Sequence, residues 1–349
     1  MPQKNKATDG YKQLSESITS GHVEGLYIFY GEERYLLERC LIELRKHLCP
    51  DGLDGFNYRR FEGRSLTAET LDDAINTLPV LAEKTLLEVH DFDIFKHEQK
   101  EILNELFKDL PDYVCLVFIY DTVQYKPDGR IRLNVEIQKN AQVVEFTVQS
   151  PDKLVNWITR HFADAGKKIS KTDAQYLSFI TGGLMSSLHG EIGKTAAFAV
   201  GDTVSRDDID AVVTPVLDAV AYKLTDALAR RDHQDAMRIL DELLRMREAP
   251  HKLMFSISLK MRQLLAARVC LDSSSGKEAL MDICGLREDY KAKALLDTAR
   301  RLNIAECRDA VLFCAETALD LNSTSEPEVR MTELITRLAH RKDQTDTGI

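Results

Sequence analysis

The segment of the chain closest to a catalytic signature is Gly190-Glu191-Ile192-Gly193-Lys194-Thr195. A glycine-flanked Gly-Lys-Thr is the core of a phosphate-binding loop, in which successive backbone N–H groups wrap a polyphosphate and the lysine reaches its terminal charges. That loop requires a first glycine five positions before the second, and Leu188 stands there. No strand-like run precedes it. Leu184, Leu188, Ile192 and Phe198 fall instead at helical spacing, so a plain helix is expected.

The other chemical candidates are weaker. After the apolar run Leu26–Tyr30 the chain reads Gly31-Glu32-Glu33-Arg34-Tyr35, with two acids where phosphates would lie and no Lys-Ser/Thr pair. After Tyr113–Tyr120 comes Asp121-Thr122, a lone acid where an ATPase carries an acidic pair, and a turn residue is expected. His97-Glu98-Gln99-Lys100-Glu101 opens like a zinc-protease helix but ends in Glu101, not histidine. The remaining histidines are scattered. Asn322-Ser323-Thr324 matches a glycosylation acceptor without meaning in a cytoplasmic chain. Cys40, Cys49, Cys115, Cys270, Cys284, Cys307 and Cys314 contain no C-x-x-C spacing, so reduced, mostly buried thiols are expected and no metal site. No catalytic residue and no cofactor is expected.

The bulk numbers fit that picture. The chain has 349 residues, 44% hydrophobic and 29% charged, which suits two or three globular domains. No apolar run reaches the roughly 18 residues of a membrane helix, and the first residues lack a signal-peptide core. A cytoplasmic protein is expected. The net charge of −10 argues against autonomous DNA binding, which relies on Lys and Arg displacing counterions, and favours protein partners.

The elements that would position any site divide into two kinds. Strand-like runs at 26–30, 57–61, 85–89, 113–120 and 141–146 alternate with helical patterns at 35–48, 66–78 and 98–110, the last two stopped by Pro79 and Pro111. Such alternation predicts an α/β domain with a mainly parallel sheet. From Ser150-Pro151-Asp152, a helix start, no convincing strand follows. Ser205-Arg206-Asp207-Asp208 has the form of a capping box. Longer amphipathic helices follow Pro215. The expected organisation is a loosely ordered polar tail (1–24), an α/β domain (25–147), a small helical domain (148–214), a larger helical domain (215–341) and a disordered tail (342–349).

Leu78-Pro79-Val80-Leu81-Ala82-Glu83-Lys84 joins the second helix to the third strand. Val80 and Leu81 either tuck back into the core or stand out as an apolar wedge for a partner. Sequence physics leaves both open.

The ordered set of segments LYIFYGEERYLLE, FNYRRFEG, LPVLAEKTLL, SPDKLVNWITRHFADAGKKIS, GLMSSLHGEIGKTAAFA, DDIDAVV and LLRMREAPHKLMFSISLKMRQLLAAR resembles the bacterial DNA polymerase III delta-subunit family over roughly residues 25–335. The resemblance implies a degenerate AAA+ module: a RecA-like domain, a helical lid and a helical collar through which a clamp-loader pentamer assembles. It implies a non-catalytic replication subunit that grips the sliding clamp (the beta subunit) and favours its opening. The implied partners are that clamp, the gamma/tau and delta-prime subunits through the collar, and primed DNA within the assembled complex, with no membrane. The implied clamp contact is an apolar pair matching Val80 and Leu81, supported by Leu78 and Pro79, although an aromatic is common where Leu81 stands. The tail 1–24 is longer than the family implies. The alternatives are an active AAA+ ATPase, against which the missing phosphate signatures count, and a delta-prime-like subunit, whose usual cysteine zinc module and Ser-Arg-Cys motif are absent.

Overall fold

The computed structural model describes residues 7–49, 54–96, 98, 100–130, 132–246, 248–286, 289–323 and 326–339. The chain divides into two compact units, Met1–Gln149 with Leu184–Ser186, and Ser150–Gly183 with Ser187–Ile349.

The first unit runs α1 (Ala7–Thr19), β1 (Leu26–Tyr30), α2 (Arg34–Leu48), α3 (Asp54–Asn57), β2 (Tyr58–Glu62), α4 (Ala68–Ile75), β3 (Thr85–His90), α5 (Lys100–Lys108), β4 (Val114–Tyr120), α6 (Arg132–Asn140) and β5 (Ala141–Glu145). Its five strands are all parallel, in the order β2-β3-β4-β1-β5. Every residue of β3 and β4 is buried. A parallel sheet is covered by its crossover helices on both faces, which is why VCLVFIY shows no polar alternation. The fold is therefore the RecA-like α/β class expected, with a helical C-terminal part.

Four details depart from the sequence reading. Residues 7–19 are not a loose tail: Tyr11, Leu14 and Ile18 form a short stripe that packs on β5 and α2, with the Tyr11 ring 6.1 Å from Phe146. So few apolar residues among many polar ones hid the helix. Helix α4 ends at Ile75, not Leu78, because the Asn76 and Thr77 side chains fold back onto the carbonyls of Asp72 and Asp73. Helix α6, with only Leu133 and Ile137 as its buried apolar residues, was not anticipated. A two-residue parallel ladder, described below, lies in the region expected to hold no strand. The tail 342–349, together with His97 and Gln99, lies outside the described residues.

One ionic cluster sits inside this unit. Glu88 of β3 is fully buried and takes a bidentate pair from Arg45 of α2, with Nε at 2.7 Å from Oε1. The Tyr58 hydroxyl donates to Glu88 at 3.1 Å, and His90 lies 3.6 Å away. Burial pushes the Glu88 carboxyl up, but His90, Arg45 and Tyr58 outweigh it and hold it below its ordinary value.

The second unit runs α7 (Pro151–Asp164), β6 (Lys168–Ile169), α8 (Lys171–Ile180), α9 (Met185–Phe198), β7 (Thr203–Val204) and α10 (Arg206–Val212), with β6 and β7 paired in parallel. Met185 and Ser186, the first turn of α9, are grouped with the first unit. The unit continues through α11 (Leu217–Ala229), α12 (His233–Arg245), α13 (Pro250–Asp272), α14 (Gly276–Cys284), α15 (Asp289–Ala299), α16 (Ile304–Asp320) and α17 (Pro327–Ala339). Ser205 and Asp208 form the expected capping box. Helix α13 is the axis of a core extending from Val220 to Leu338 and packs on α11, α14, α15, α16 and α17. Six of the seven cysteines are buried thiols and Cys284 is half-buried. No described helix is long and apolar enough to cross a membrane.

A depressed Glu88 carboxyl stabilises the fold above its unfolded value near 4.5, and that contribution is lost as pH falls below it. Glu88→Gln should lower the unfolding free energy at pH 7 by about 3 kcal/mol, the low end for breaking a buried pair because Arg45 is partly open to water. The deficit should shrink below pH 4.5. Urea unfolding followed by circular dichroism at both pH values checks this; a deficit independent of pH refutes it.

Candidate partner-docking site

Between α4 and β3 the chain makes an ordered turn. Thr67 caps α4 by accepting the Thr70 N–H at 3.2 Å. Asn76 closes the helix, and the chain then presents Leu78, 68% exposed, half-buried Pro79, Val80, 43% exposed, and Leu81, 87% exposed. The alternative in which Val80 and Leu81 enter the core is excluded by that exposure. Leu81 has a φ of +54°, the left-handed region that a residue with a Cβ rarely adopts. The backbone of Val80 is held at both ends by one side chain: its N–H donates to Asn57 Oδ1 at 2.7 Å, and Asn57 Nδ2 donates to its carbonyl at 2.7 Å. Past the turn, Lys84 Nζ donates to the Val23 carbonyl at 3.1 Å, and the Thr85 N–H reaches the Tyr113 carbonyl as β3 begins.

The sequence reading placed Leu78, Pro79, Val80 and Leu81 together, and the structure keeps them on one turn. It missed Asn57, and it missed Phe56, which is 60% exposed on α3. The signal for Phe56 was an aromatic directly after the turn-rich run Asp51-Gly52-Leu53-Asp54-Gly55. No signal in the sequence links Asn57 to Val80.

The strand ends where a nucleotide would bind are filled by the chain itself. Only Gly31, Glu32 and Glu33 separate β1 from α2, too few to wrap a polyphosphate. Gly31 has a φ of +127°, and a Cβ there would meet the Phe146 carbonyl oxygen at 2.3 Å. The Phe146 N–H donates to Tyr30 at 2.7 Å, and the Phe146 carbonyl accepts the Glu33 N–H at 2.9 Å. An N–H that would face a phosphate at the head of α2 is thus already used. Glu33 is fully buried, and burial pushes its carboxyl up. Arg34, the first residue of α2, is ion-paired with Asp121 at the end of β4. Asp91, at the end of β3, accepts the N–H groups of Asp121, Thr122 and Val123 at 2.8–3.0 Å and the Thr122 hydroxyl at 2.7 Å. Burial raises the Asp91 carboxyl, but the donors from Val123 and Thr122 prevail and hold it below the usual range.

The Gly-Lys-Thr segment lies inside α9, so its backbone N–H groups serve the helix. Lys194 pairs with Glu191 at 2.8 Å, and the Thr195 hydroxyl returns to the Glu191 carbonyl. Gly190 and Gly193 have open space around them. Among the described residues no cluster of three or more His, Cys, Asp or Glu is arranged to hold a metal.

Comparison with known proteins gives a consistent result. The family model described as DNA polymerase III, delta subunit, matches residues 27–147, and the model for the delta subunit's C-terminal domain matches 218–337. DNA polymerase III subunit delta of Bacillus subtilis (strain 168) is 23% identical over 343 residues, covering 95% of this chain and 97% of that protein. The probable DNA polymerase III subunit delta of Aquifex aeolicus is 20% identical over 279 residues, covering 76% and 77%. Among solved structures, the DNA clamp loader delta protein of Bacillus subtilis shares the fold with a TM-score of 0.60 and 20% identity, covering 95% of this chain and all of that one.

The glycines separate a phosphate loop from a helix experimentally. Gly190→Ala with Gly193→Ala, both at exposed positions inside a helix, should raise the unfolding free energy by about 1–2 kcal/mol. Gly31→Ala should lower it by about 2 kcal/mol or more, since the new Cβ strikes backbone. Urea midpoints check both; a destabilised Gly190/Gly193 variant refutes the helical assignment.

Proposed function

The chain belongs to the DNA polymerase III delta-subunit family, and on that premise we propose that it binds the sliding clamp through the turn Leu78–Leu81 and favours the open ring without hydrolysing ATP. The observation that carries the proposal is the exposure of Val80 and Leu81 on an ordered turn, with Leu81 87% exposed. A turn of this kind places two apolar side chains where an apolar pocket on a partner can enclose them. Leu78 extends the patch and Pro79 stiffens it.

The absence of hydrolysis rests on the filled strand ends. The three-residue loop after β1, the Arg34–Asp121 pair and the Phe146 carbonyl on the Glu33 N–H leave no phosphate cradle. The lone acid at the end of β4 is neutralised by Arg34 rather than free to hold a metal ion. In the proposed assembly the helices of 148–214 are the lid and those of 215–341 are the collar. The collar is the part that joins the gamma/tau and delta-prime subunits. Exposed apolar residues Leu312 and Leu319, seven apart on α16, and Phe255 on α13 offer surface for that contact. Primed DNA is met within the assembled loader, consistent with a chain whose own net charge is −10. The setting is the bacterial cytoplasm.

Enclosing a Val or Leu side chain yields roughly 1.5–3 kcal/mol each, and a central interface anchor cut to Ala typically costs about 2 kcal/mol or more. At about 1.4 kcal/mol per tenfold, Val80→Ala with Leu81→Ala should weaken clamp binding roughly 30-fold or more. The urea midpoint should stay in place, because neither side chain belongs to the core. Surface plasmon resonance against the clamp of the same organism measures the first quantity. Unchanged affinity, or a collapsed midpoint, would sink the docking site.

Isothermal titration of the full chain with Mg-ATP should be flat. Micromolar binding abolished by Lys194→Ala would overturn the non-catalytic reading.

A further inference from the structure

Asn57 closes α3 and is fully buried, yet both polar atoms of its side chain are directed at a residue 23 positions away. Its amide gives Val80 what a neighbouring strand would give: an acceptor for the N–H and a donor for the carbonyl, each at 2.7 Å. The grip is itself anchored, because the Asn57 carbonyl accepts from Cys49 Sγ, at the end of α2, at 3.6 Å. Directly after the gripped residue, Leu81 takes a φ of +54°. Left-handed backbone is unfavourable for any residue with a Cβ and is most at home with glycine. Asparagine and aspartate can offset it with a local hydrogen bond, and leucine cannot.

The core gains almost nothing from this arrangement, since Leu81 is 87% exposed. Val80, with 43% of its surface open, adds little more. A buried amide and an unfavourable backbone conformation therefore serve a leucine that contributes no packing. Strained backbone of this kind persists only where its surroundings over-determine it, and it gathers at sites that must be preorganised.

We propose that Asn57 is the positioning residue of the docking turn: its side-chain clasp on Val80 fixes the backbone that displays Leu81 to the sliding clamp. The inference rests on the docking reading above and deepens it. A free turn would sample many conformations and lose that freedom on binding, whereas a clasped turn meets the pocket already shaped.

The test uses the full chain and the clamp of the same organism. Asn57→Leu keeps the buried volume but removes both bonds, and Val80, partly open to water, can satisfy its backbone groups there. Clamp affinity should fall about tenfold with little change in the urea midpoint. In a Val80→Ala, Leu81→Ala background the same substitution should have no further effect, because the side chains it displays are gone. A general structural defect would instead weaken both backgrounds equally, and that additive result overturns the proposal. Wild-type affinity for Asn57→Leu also overturns it, and if Val80→Ala with Leu81→Ala still binds weakly the docking site itself survives. If that double variant binds as wild type does, the docking reading falls and takes the proposal with it. A measurement on the unmodified chain stands apart from any folding defect: hydrogen exchange should find the Val80 amide protected although it lies in an exposed turn. Exchange at the rate of an open loop would show that the clasp does not exist in solution.

Discussion

The central strands of the first unit's parallel sheet are buried on both faces, and most of the unit's chemistry follows from that. With β3 and β4 inaccessible along their whole length, polar function can sit only at strand ends and in connections. Glu88 is the single acid inside β3, and it is tolerated because Arg45, Tyr58 and His90 surround it. The strand ends are left to divide the remaining work. At the C-terminal ends, the usual place for a ligand in an open α/β sheet, Arg34, Asp91 and Asp121 bind one another, and Tyr30 and Glu33 bind the Phe146 backbone. At the opposite end of β3, about 20 Å away by strand rise, the chain displays Val80 and Leu81. The exposed apolar turn and the polar cluster thus lie at opposite ends of the same strand.

The sealed end has a physical consequence. A phosphate loop leaves N–H groups and a lysine poised for an anion, and without its ligand it is a set of unsatisfied donors. Here the Glu33 N–H is taken by the Phe146 carbonyl and the Arg34 guanidinium is paired with Asp121. Arg34 stands at the head of α2 and is balanced by Asp121; Glu33 beside it would repel a phosphate if ionised. Asp91 gathers three successive N–H groups, an arrangement that fixes the loop after β4 instead of offering it to a metal-bound substrate.

How much of this was legible in the sequence depends on the distance over which each feature is determined. The central strands were visible because a parallel sheet covered on both faces buries nearly every position of β1, β3 and β4, and an unbroken run such as VCLVFIY has few other homes. The failure of Gly-Lys-Thr was visible because Leu188 occupies a position where a loop must have glycine. Helix α1 was not, since three apolar residues in a polar stretch carry little signal until β5 provides a surface for them. The end of α4 was misplaced by three residues because Asn76 and Thr77 cap it before Pro79 can. At the turn Leu78–Leu81, the residues were legible but their exposure was not: Leu-Pro-Val-Leu suits a core as well as a surface. Asn57 was beyond reach altogether, because a side-chain amide meeting backbone 23 residues away is a product of the finished fold.

An exposed apolar turn raises a problem of its own, since surface leucines in a flexible loop bind poorly and aggregate readily. Fixing the backbone of one residue removes roughly 1–2 kcal/mol of conformational freedom, so a loose turn of several residues would lose much of the 1.5–3 kcal/mol gained per enclosed side chain. The turn from Asn76 to Lys84 is already ordered in the folded chain. Asn76 closes the helix on one side, Lys84 reaches Val23 on the other, and the Asn57 amide holds the middle. These few polar contacts, made during folding, place the ordering cost of the turn in the folded state. The patch also stays small, with Leu78, Val80 and Leu81 flanked by the charged residues Glu83 and Lys84. A narrow apolar tip on a rigid base suits a concave apolar pocket better than a flat surface, because only a pocket can enclose Leu81 on several sides at once.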